Sequence, residues 1–224
     1  MKTALQSVVH SLQTAGMGSL QELWKDGAGT GYPADYQGIT NKATVVISAL
    51  DHLQGRHVLD IGCNSGLYTY LAGFVANHVT GVDVEQPLID RAERARPLFI
   101  SQGLTGPVDF ASGTFTNYLH PGISGIIAAC VLYHVGDDYL RYLQDFLRQH
   151  RPKMIIQTRP GRAEAFRLNP SWGVLATTAA YEGMFTIESN LAFLADAGYD
   201  RVEVVGLTSS VFCGEAFPVV VTLD

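Results

Sequence analysis

From residue 57 onward, short strand-like runs alternate with longer runs at helical spacing. The strand-like runs are 57–61, 78–84, 107–111, 125–132, 153–158, 201–207 and 216–223, and the helix-like runs lie near 66–77, 86–102, 137–150 and 187–198. Such alternation implies parallel strands joined by crossover helices. No helix-like run separates the last two strands, which we expect to pair antiparallel. The sequence predicts an α/β fold with a seven-stranded, mostly parallel sheet, an antiparallel last strand and helices on both faces.

The length of the chain, 224 residues, suits one α/β domain with additional segments. We divide it into an N-terminal helical extension or lid, 1–54, and a sheet domain, 55–224. Two segments fall outside the alternation, namely 20–38, which is rich in glycine and aromatic residues, and 159–186. Connections this long inside a compact domain are commonly functional. We therefore predict that both segments cover a site.

Composition narrows the class of protein. The formal net charge of −6 disfavours a surface that follows a nucleic-acid backbone, because such surfaces are usually basic. Cys63, Cys130 and Cys213 are far apart and odd in number, so they suggest neither a disulfide framework nor a zinc site. No stretch approaches 18 uninterrupted apolar residues, and residues 1–14 lack the apolar core of a secretory signal. We expect a cytoplasmic protein with no membrane partner.

A glycine-containing turn follows the first strand of this alternation, in the sequence HVLDIGCNSG at 57–66. Gly62 and Gly66 allow a sharp bend and a close approach to a ligand, and the following helix presents unpaired N–H groups. The phosphate-loop pattern GxxxxGK[ST] is absent, and Asn64 stands where a dinucleotide fingerprint has its second glycine. The pattern that remains is DxGxxxG, from Asp60 to Gly66. A strand-to-helix connection that binds nothing is the alternative.

An aspartate, Asp83, also ends the next strand in VTGVDVE. Together with the glycine turn, it resembles the S-adenosylmethionine site of the class I methyltransferases, and the likeness extends over about 55–224 because an antiparallel last strand is typical of that family. By this resemblance, Asp83 binds the ribose hydroxyls, and Asp60 helps to hold the ammonium group indirectly. Gly62, Cys63 and Asn64 line the amino-acid end of the cofactor, while Val84 packs on the adenine.

The third strand departs from the family pattern. An acidic residue often follows this strand in the family and contacts the adenine amino group, but here the position falls near Thr114, after Ser112 and Gly113. An adenine contact from this turn and an ordinary polar turn both remain open. The resemblance implies a cofactor-binding set of Tyr36, Asp60, Gly62, Cys63, Asn64, Gly66, Asp83, Val84, Ser112, Gly113, Thr114 and Cys130.

Catalytic residues are expected after the fourth strand, because ligands bind beyond the carboxyl ends of the strands in an open α/β sheet. The sequence AACVLYHVGDD places Tyr133 and His134 there. His134 is the candidate base, with substrate positioning and a structural role as alternatives, and Tyr133 is a pocket wall or hydrogen-bond donor. Arg159, Trp172 and Tyr181 form a candidate substrate pocket, although Trp172 also suits a local core.

The motifs DIGCNSGLYTY and VLYHVGDDYLRYL look most like the branch that includes the tRNA wobble-uridine carboxymethyltransferase. Its basic contacts for RNA and for a carboxylated donor have no match here, so only the scaffold carries over. We predict methyl transfer from S-adenosylmethionine to an oxygen or nitrogen nucleophile of a small molecule, without a metal. An RNA-modifying methyl- or carboxymethyltransferase and a non-catalytic S-adenosylmethionine-binding protein are the alternatives, and a homodimer is left open.

Overall fold

The computed structural model describes residues 46, 49–101, 103–104, 106–158, 184, 186–205 and 219–223. The predicted roles of Tyr36, Arg159, Trp172 and Tyr181 fall outside these residues, as do the extension up to residue 45 and nearly all of the segment 159–186.

The described residues form one seven-stranded sheet. Its strands are β1 (His57–Ile61), β2 (His78–Asp83), β3 (Val108–Ser112), β4 (Gly125–Ala129), β5 (Lys153–Gln157), β6 (Val202–Val205) and β7 (Val219–Thr222), in the spatial order β3-β2-β1-β4-β5-β7-β6. Strands β1 to β5 are parallel, and β7 pairs antiparallel with both β5 and β6. The predicted mostly parallel sheet with an antiparallel last strand is confirmed.

In the described part of the chain, four α-helices lie between these strands: α1 (Leu67–Gly73), α2 (Gln86–Ser101), α3 (Asp137–His150) and α4 (Ile187–Asp196). Each lies within or close to a predicted helical run. Short 3₁₀ helices occur at Asp51–Leu53, Phe115–Tyr118 and Leu132–His134. Within the described part of the chain, no helix combines the length and the apolar composition needed to cross a membrane.

The predicted fourth strand, 125–132, was too long. Strand β4 ends at Ala129, because Cys130 has a φ of +56°, a left-handed backbone conformation that cannot continue a strand. The chain then turns into the 3₁₀ helix Leu132–His134. As a result, Tyr133 and His134 follow a turn after the strand and do not extend it.

Hydrophobic cores on both faces of the sheet hold the helices in place. Successive residues of β1 point to opposite faces, with Val58 in one core and Leu59 in the other. The first core includes residues of α1 and α2 such as Tyr70 and Phe99, and the second includes residues of α3 and α4 such as Leu143 and Leu194. Burying each such large side chain contributes about 1.5–3 kcal/mol. The expected helices on both faces are therefore present.

Residues that precede β1 also enter the first core. Val46, Ala49, Leu50 and Leu53 are all fully buried in it. The last residues of the expected 1–54 extension thus pack into the sheet domain itself. The boundary between extension and domain stays a prediction.

Candidate cofactor site

The turn after β1 has an unusual backbone. Gly62, Asn64 and Gly66 have φ angles of +65°, +51° and +81°, in a region that suits glycine and, among other residues, mainly asparagine and aspartate. The Cys63 N–H donates to the Val82 carbonyl at 3.0 Å. This bond holds the turn against the carboxyl end of β2, the edge at which α/β sheets bind ligands.

The two glycines are needed first for packing within the protein. A Cβ added to Gly62 would collide with the side chain of Val131, and one added to Gly66 would lie 2.6 Å from Cζ of Phe110. We expected the glycines to admit a ligand, whereas the close neighbours in the structure are the protein's own side chains. The glycine spacing alone therefore does not indicate a ligand, and the case for one depends on the polar groups around the turn.

Asp83 connects the three turns that follow β1, β2 and β3. Its Oδ2 accepts a hydrogen bond from the Asn64 N–H at 2.9 Å, and its Oδ1 accepts one from the Glu85 N–H at 3.1 Å. Its backbone carbonyl accepts a bond from the Gly113 N–H at 2.8 Å. The carboxylate is only half-buried. The structure thus brings together Asn64, Asp83 and Gly113, three of the residues predicted to bind the cofactor, and their binding roles stay predictions.

Asp60 lies beneath this surface and is 1% exposed. Its Oδ2 accepts a hydrogen bond from the Thr69 hydroxyl at 2.6 Å. Burial and, to a smaller extent, the nearby Asp83 carboxylate raise the pKa of Asp60 to about 7 despite that bond. Near neutral pH, Asp60 is therefore partly protonated and partly ionised. Since its side chain is enclosed, Asp60 is placed for an indirect effect on a ligand and not for direct contact, and that indirect role stays a prediction.

Cys63 is buried beside these carboxyl groups. Its side chain is 6% exposed, and burial, together with the charges of Asp60 and Asp83, raises the pKa of the thiol. The thiol is therefore neutral and unsuited to act as a nucleophile. Its place in the turn fits the predicted lining role.

On the adenine side, Val84 follows Asp83 directly and is 70% exposed. Gly113 has a φ of +143°, and Thr114 precedes the 3₁₀ helix Phe115–Tyr118. Ser112 ends β3 and is exposed. An exposed apolar side chain next to a polar turn is suited to an aromatic ring with polar edges, and the adenine contacts of Val84, Ser112 and Thr114 stay predictions.

The turn after β4 carries the predicted catalytic residues. The Cys130 N–H donates to the Gln157 carbonyl at 2.8 Å, and the His134 N–H donates to the Val131 carbonyl at 2.7 Å. His134 is exposed, whereas Tyr133 is 3% exposed within the second core. The two rings lie 4.5 Å apart between centroids. The burial of Tyr133 suits a wall better than a reacting group, and both catalytic assignments stay predictions.

Two residues near this turn were missed by the sequence analysis. The Tyr68 hydroxyl donates to Oε1 of Gln157 at 3.1 Å, and Sγ of Cys130 lies 3.7 Å from the same oxygen. One available signal was that Gln157 is a polar residue at the carboxyl end of an otherwise apolar run, MIIQ, where α/β sheets bind ligands. Among the residues that the structure describes, no group of three His, Cys, Asp or Glu side chains is arranged to hold a metal ion.

Comparison with known proteins adds a domain assignment. Residues 59–156 match the family model described as a methyltransferase domain, and no curated protein matches the chain. This stretch includes the glycine turn, Asp83 and the turn after β4. The match confirms a methyltransferase domain whose cofactor is S-adenosylmethionine, and the residues around Asp83 fit that cofactor. The match does not confirm the predicted likeness to the tRNA wobble-uridine branch.

Solved methyltransferase structures share the fold. Magnesium protoporphyrin IX methyltransferase (ChlM) from Synechocystis PCC 6803, with bound SAH, is 20% identical, with 98% of this chain and 99% of that chain covered and a TM-score of 0.60. N-methyltransferase NodS from Bradyrhizobium japonicum WM9 is 14% identical, with 84% and 97% covered and a TM-score of 0.55. The small RNA methyltransferase HEN1 is 16% identical, with a TM-score of 0.59; the match covers 82% of this chain and only 25% of that chain. Identities this low establish the fold and leave the acceptor open.

Proposed function

We propose that this enzyme transfers a methyl group from S-adenosylmethionine to an oxygen or nitrogen nucleophile of a small molecule. The observation that carries the proposal is the junction at Asp83 within the matched domain: its half-buried carboxylate joins the turns after β1 and β2, and its backbone carbonyl joins the turn after β3. The cofactor supplies a methyl group on a positively charged sulfur. The protein must bind it and align a nucleophile with the methyl carbon.

Asp83 is the proposed ribose ligand. A carboxylate has about four lone-pair positions, and two of those on Asp83 are used by the Asn64 and Glu85 N–H groups. The other two suit a pair of neighbouring hydroxyl groups. The same N–H bonds fix the orientation of the carboxylate before a ligand arrives, which reduces the entropy lost on binding.

Asp60 is proposed to favour the positively charged half of the cofactor. Its buried carboxyl group is close enough to Cys63 in the turn for its charge to raise the pKa of that thiol. Because its pKa is raised to about 7, a cation above the turn shifts it towards the ionised form. Binding of the cofactor and ionisation of Asp60 should therefore support each other.

His134 is the proposed base or positioning group for the acceptor, and buried Tyr133 is the proposed wall beside it. The backbone carbonyl of Val131 accepts a hydrogen bond from the His134 N–H. The side chain of Val131 fills the space next to Gly62. His134 is therefore near the turn assigned to the amino-acid end. Arg159, Trp172 and Tyr181 are proposed to contribute to the acceptor pocket.

Charge supports a small acceptor over RNA. The turns that follow β1, β2, β3 and β4 are residues 62–66, 84–85, 113–124 and 130–136, and they contain no lysine or arginine. The helix after the last of these turns, α3, begins with two acidic residues, Asp137 and Asp138. Nucleic-acid sites require basic side chains near the phosphates. The motif likeness to the wobble-uridine branch is proposed for the scaffold alone. Cys63 is a buried thiol, and we propose a reducing cytoplasmic location for the protein.

The test uses the purified full chain and S-adenosylmethionine carrying a labelled methyl group. Protein is first denatured and its retained ligands are identified by mass spectrometry. It is then incubated with a panel of small hydroxyl compounds and amines, and separately with bulk tRNA and small RNA. Label in small molecules supports the proposal. Label in RNA alone overturns the acceptor class, and retained cofactor without transfer to any acceptor favours a non-catalytic binding protein.

A further inference from the structure

Three polar side chains meet at the carboxyl edge on the opposite side of β1 from Asp83. We refer to Tyr68, Cys130 and Gln157 as the Gln157 cluster. Gln157 ends β5 and is 1% exposed, and its Oε1 accepts the Tyr68 hydroxyl at 3.1 Å. Sγ of Cys130 lies 3.7 Å from the same oxygen, and the Cys130 N–H donates to the Gln157 backbone carbonyl at 2.8 Å. The cluster thus joins α1, β5 and the turn after β4.

These contacts fix the orientation of the Gln157 amide. The Tyr68 hydroxyl and the Cys130 thiol both donate to the amide oxygen, which leaves the amide nitrogen on the other side. The cluster also holds Cys130 at its φ of +56°, a conformation that costs a non-glycine residue free energy and persists only where surrounding contacts maintain it.

The Gln157 cluster reaches the glycine turn through one further residue. Val131 follows Cys130, and its side chain occupies the space that a Cβ on Gly62 would need. Gln157, Cys130, Val131 and Gly62 are therefore in continuous contact across three strands. Displacement of the Cys130 turn would change the position of Val131 and with it the wall beside Gly62.

Sheet geometry separates this cluster from the ribose side. The strand order places β5 three strands from β2, roughly 14 Å at the usual spacing of neighbouring strands. The amino-acid end of a ligand held at Asp83 by its ribose would reach the cluster by extending over β1 and β4. Resting on the proposed function, we infer that Tyr68 and Gln157 are positioning residues that hold the Cys130 turn and thereby shape the site for the amino-acid end of S-adenosylmethionine.

The test compares two ligands that differ in the amino-acid end. S-Adenosylhomocysteine carries this end, and 5′-methylthioadenosine lacks it. Tyr68→Phe keeps the ring but removes the hydroxyl that contacts Gln157. We expect it to weaken S-adenosylhomocysteine binding about three- to tenfold, the range for loss of one hydrogen bond, and 5′-methylthioadenosine binding less than about twofold. Calorimetric titration provides both affinities.

Tyr70→Phe is the matched control. Tyr70 lies on the same helix, and its hydroxyl donates to the Ala92 carbonyl at 2.7 Å within the first core. This variant loses a comparable bond, so it reports any general loosening of α1. We expect it to leave the ratio of the two affinities unchanged, whatever its effect on the melting temperature.

A second substitution tests whether the cluster acts as a unit. Gln157→Leu should reproduce the selective loss, and adding Tyr68→Phe to it should cause no further loss, because the contact between the two residues is already absent. An unchanged affinity ratio in Tyr68→Phe, or equal weakening of both ligands, overturns this inference. Wild-type protein that binds neither ligand instead overturns the proposed function.

Discussion

The two halves of the carboxyl edge use different chemistry. On the side of β2 and β3, a half-buried carboxylate, Asp83, joins neighbouring turns through backbone N–H groups. On the side of β4 and β5, Gln157, a buried neutral residue, holds the turn after β4. Its side-chain amide contacts the Tyr68 hydroxyl and the Cys130 thiol, and its backbone carbonyl accepts the Cys130 N–H. A charged anchor has strong interactions that tolerate partial exposure. A neutral one depends on burial and close contact, so it should control position more than affinity.

The largest expected effect is on the rate of methyl transfer, at the turn after β4, on the same side of the sheet as Gln157. His134→Ala should lower turnover by about 10²–10⁴-fold if His134 moves a proton, while the affinity for S-adenosylhomocysteine stays nearly constant. Single-turnover kinetics and calorimetry measure the two quantities separately. His150→Ala is the control, since His150 is exposed at the far end of α3. Full turnover in His134→Ala would remove this residue from the mechanism.

The junction between the two halves should be the most sensitive to added volume. Gly62→Ala combines a left-handed backbone with a collision against Val131 and should lower the free energy of unfolding by about 2–4 kcal/mol. Urea denaturation measures the loss.

Gly55→Ala is the matched control for that experiment. Gly55 has a φ of +69°, but an added Cβ there has no neighbour within 4 Å, so only the backbone cost of about 1–2 kcal/mol applies. Equal losses at Gly55 and Gly62 would show that the contact with Val131 is unimportant. Combining Gly62→Ala with Val131→Ala should recover part of the loss.

The carboxylate side should control cofactor affinity. Asp83→Ala should weaken S-adenosylhomocysteine binding by about 1.5–3 kcal/mol, the usual contribution of a charge-assisted hydrogen bond. Glu85→Gln removes a neighbouring exposed charge and should change affinity much less. If calorimetry finds unchanged affinity for Asp83→Ala, the ribose assignment is refuted. The two halves of the carboxyl edge would then no longer differ in having a charged ligand-binding residue on one side.

The smallest expected effect, taken per pH unit, is the pH dependence of stability that arises from Asp60. Its pKa is about 7 in the folded chain, against a reference value of 3.8, so the folded state holds the proton more tightly. The resulting stabilisation is fully present below about pH 4 and is lost as the pH rises through about 7, with a slope of at most about 1.4 kcal/mol per pH unit. Urea titrations between pH 5 and 8 should show this decline, and Asp60→Asn should remove it. An identical slope in that variant would assign the dependence to another group.

Much of the architecture could be read from local patterns. The alternation of runs placed all seven strands and the four described helices within a few residues, because hydrophobic periodicity and strand-to-helix order depend on nearby residues. The strand end at Ala129 was misjudged, since the left-handed conformation of Cys130 is maintained by contacts with Gln157, which is 27 residues further along the chain. Such a contact leaves no local signal.

The sequence by itself determined the α/β class, the turn DIGCNSG and the pairing of that turn with Asp83, because each depends on residue types at short spacing or on successive strands. Only the tertiary structure decided why Gly62 and Gly66 are glycines, that Asp60 lies enclosed with a raised pKa, and that Tyr68 meets Gln157. These features arise where residues distant in the chain come into contact at one edge of the sheet. Packing and burial depend on contacts between these distant residues, and local sequence patterns do not reveal such contacts.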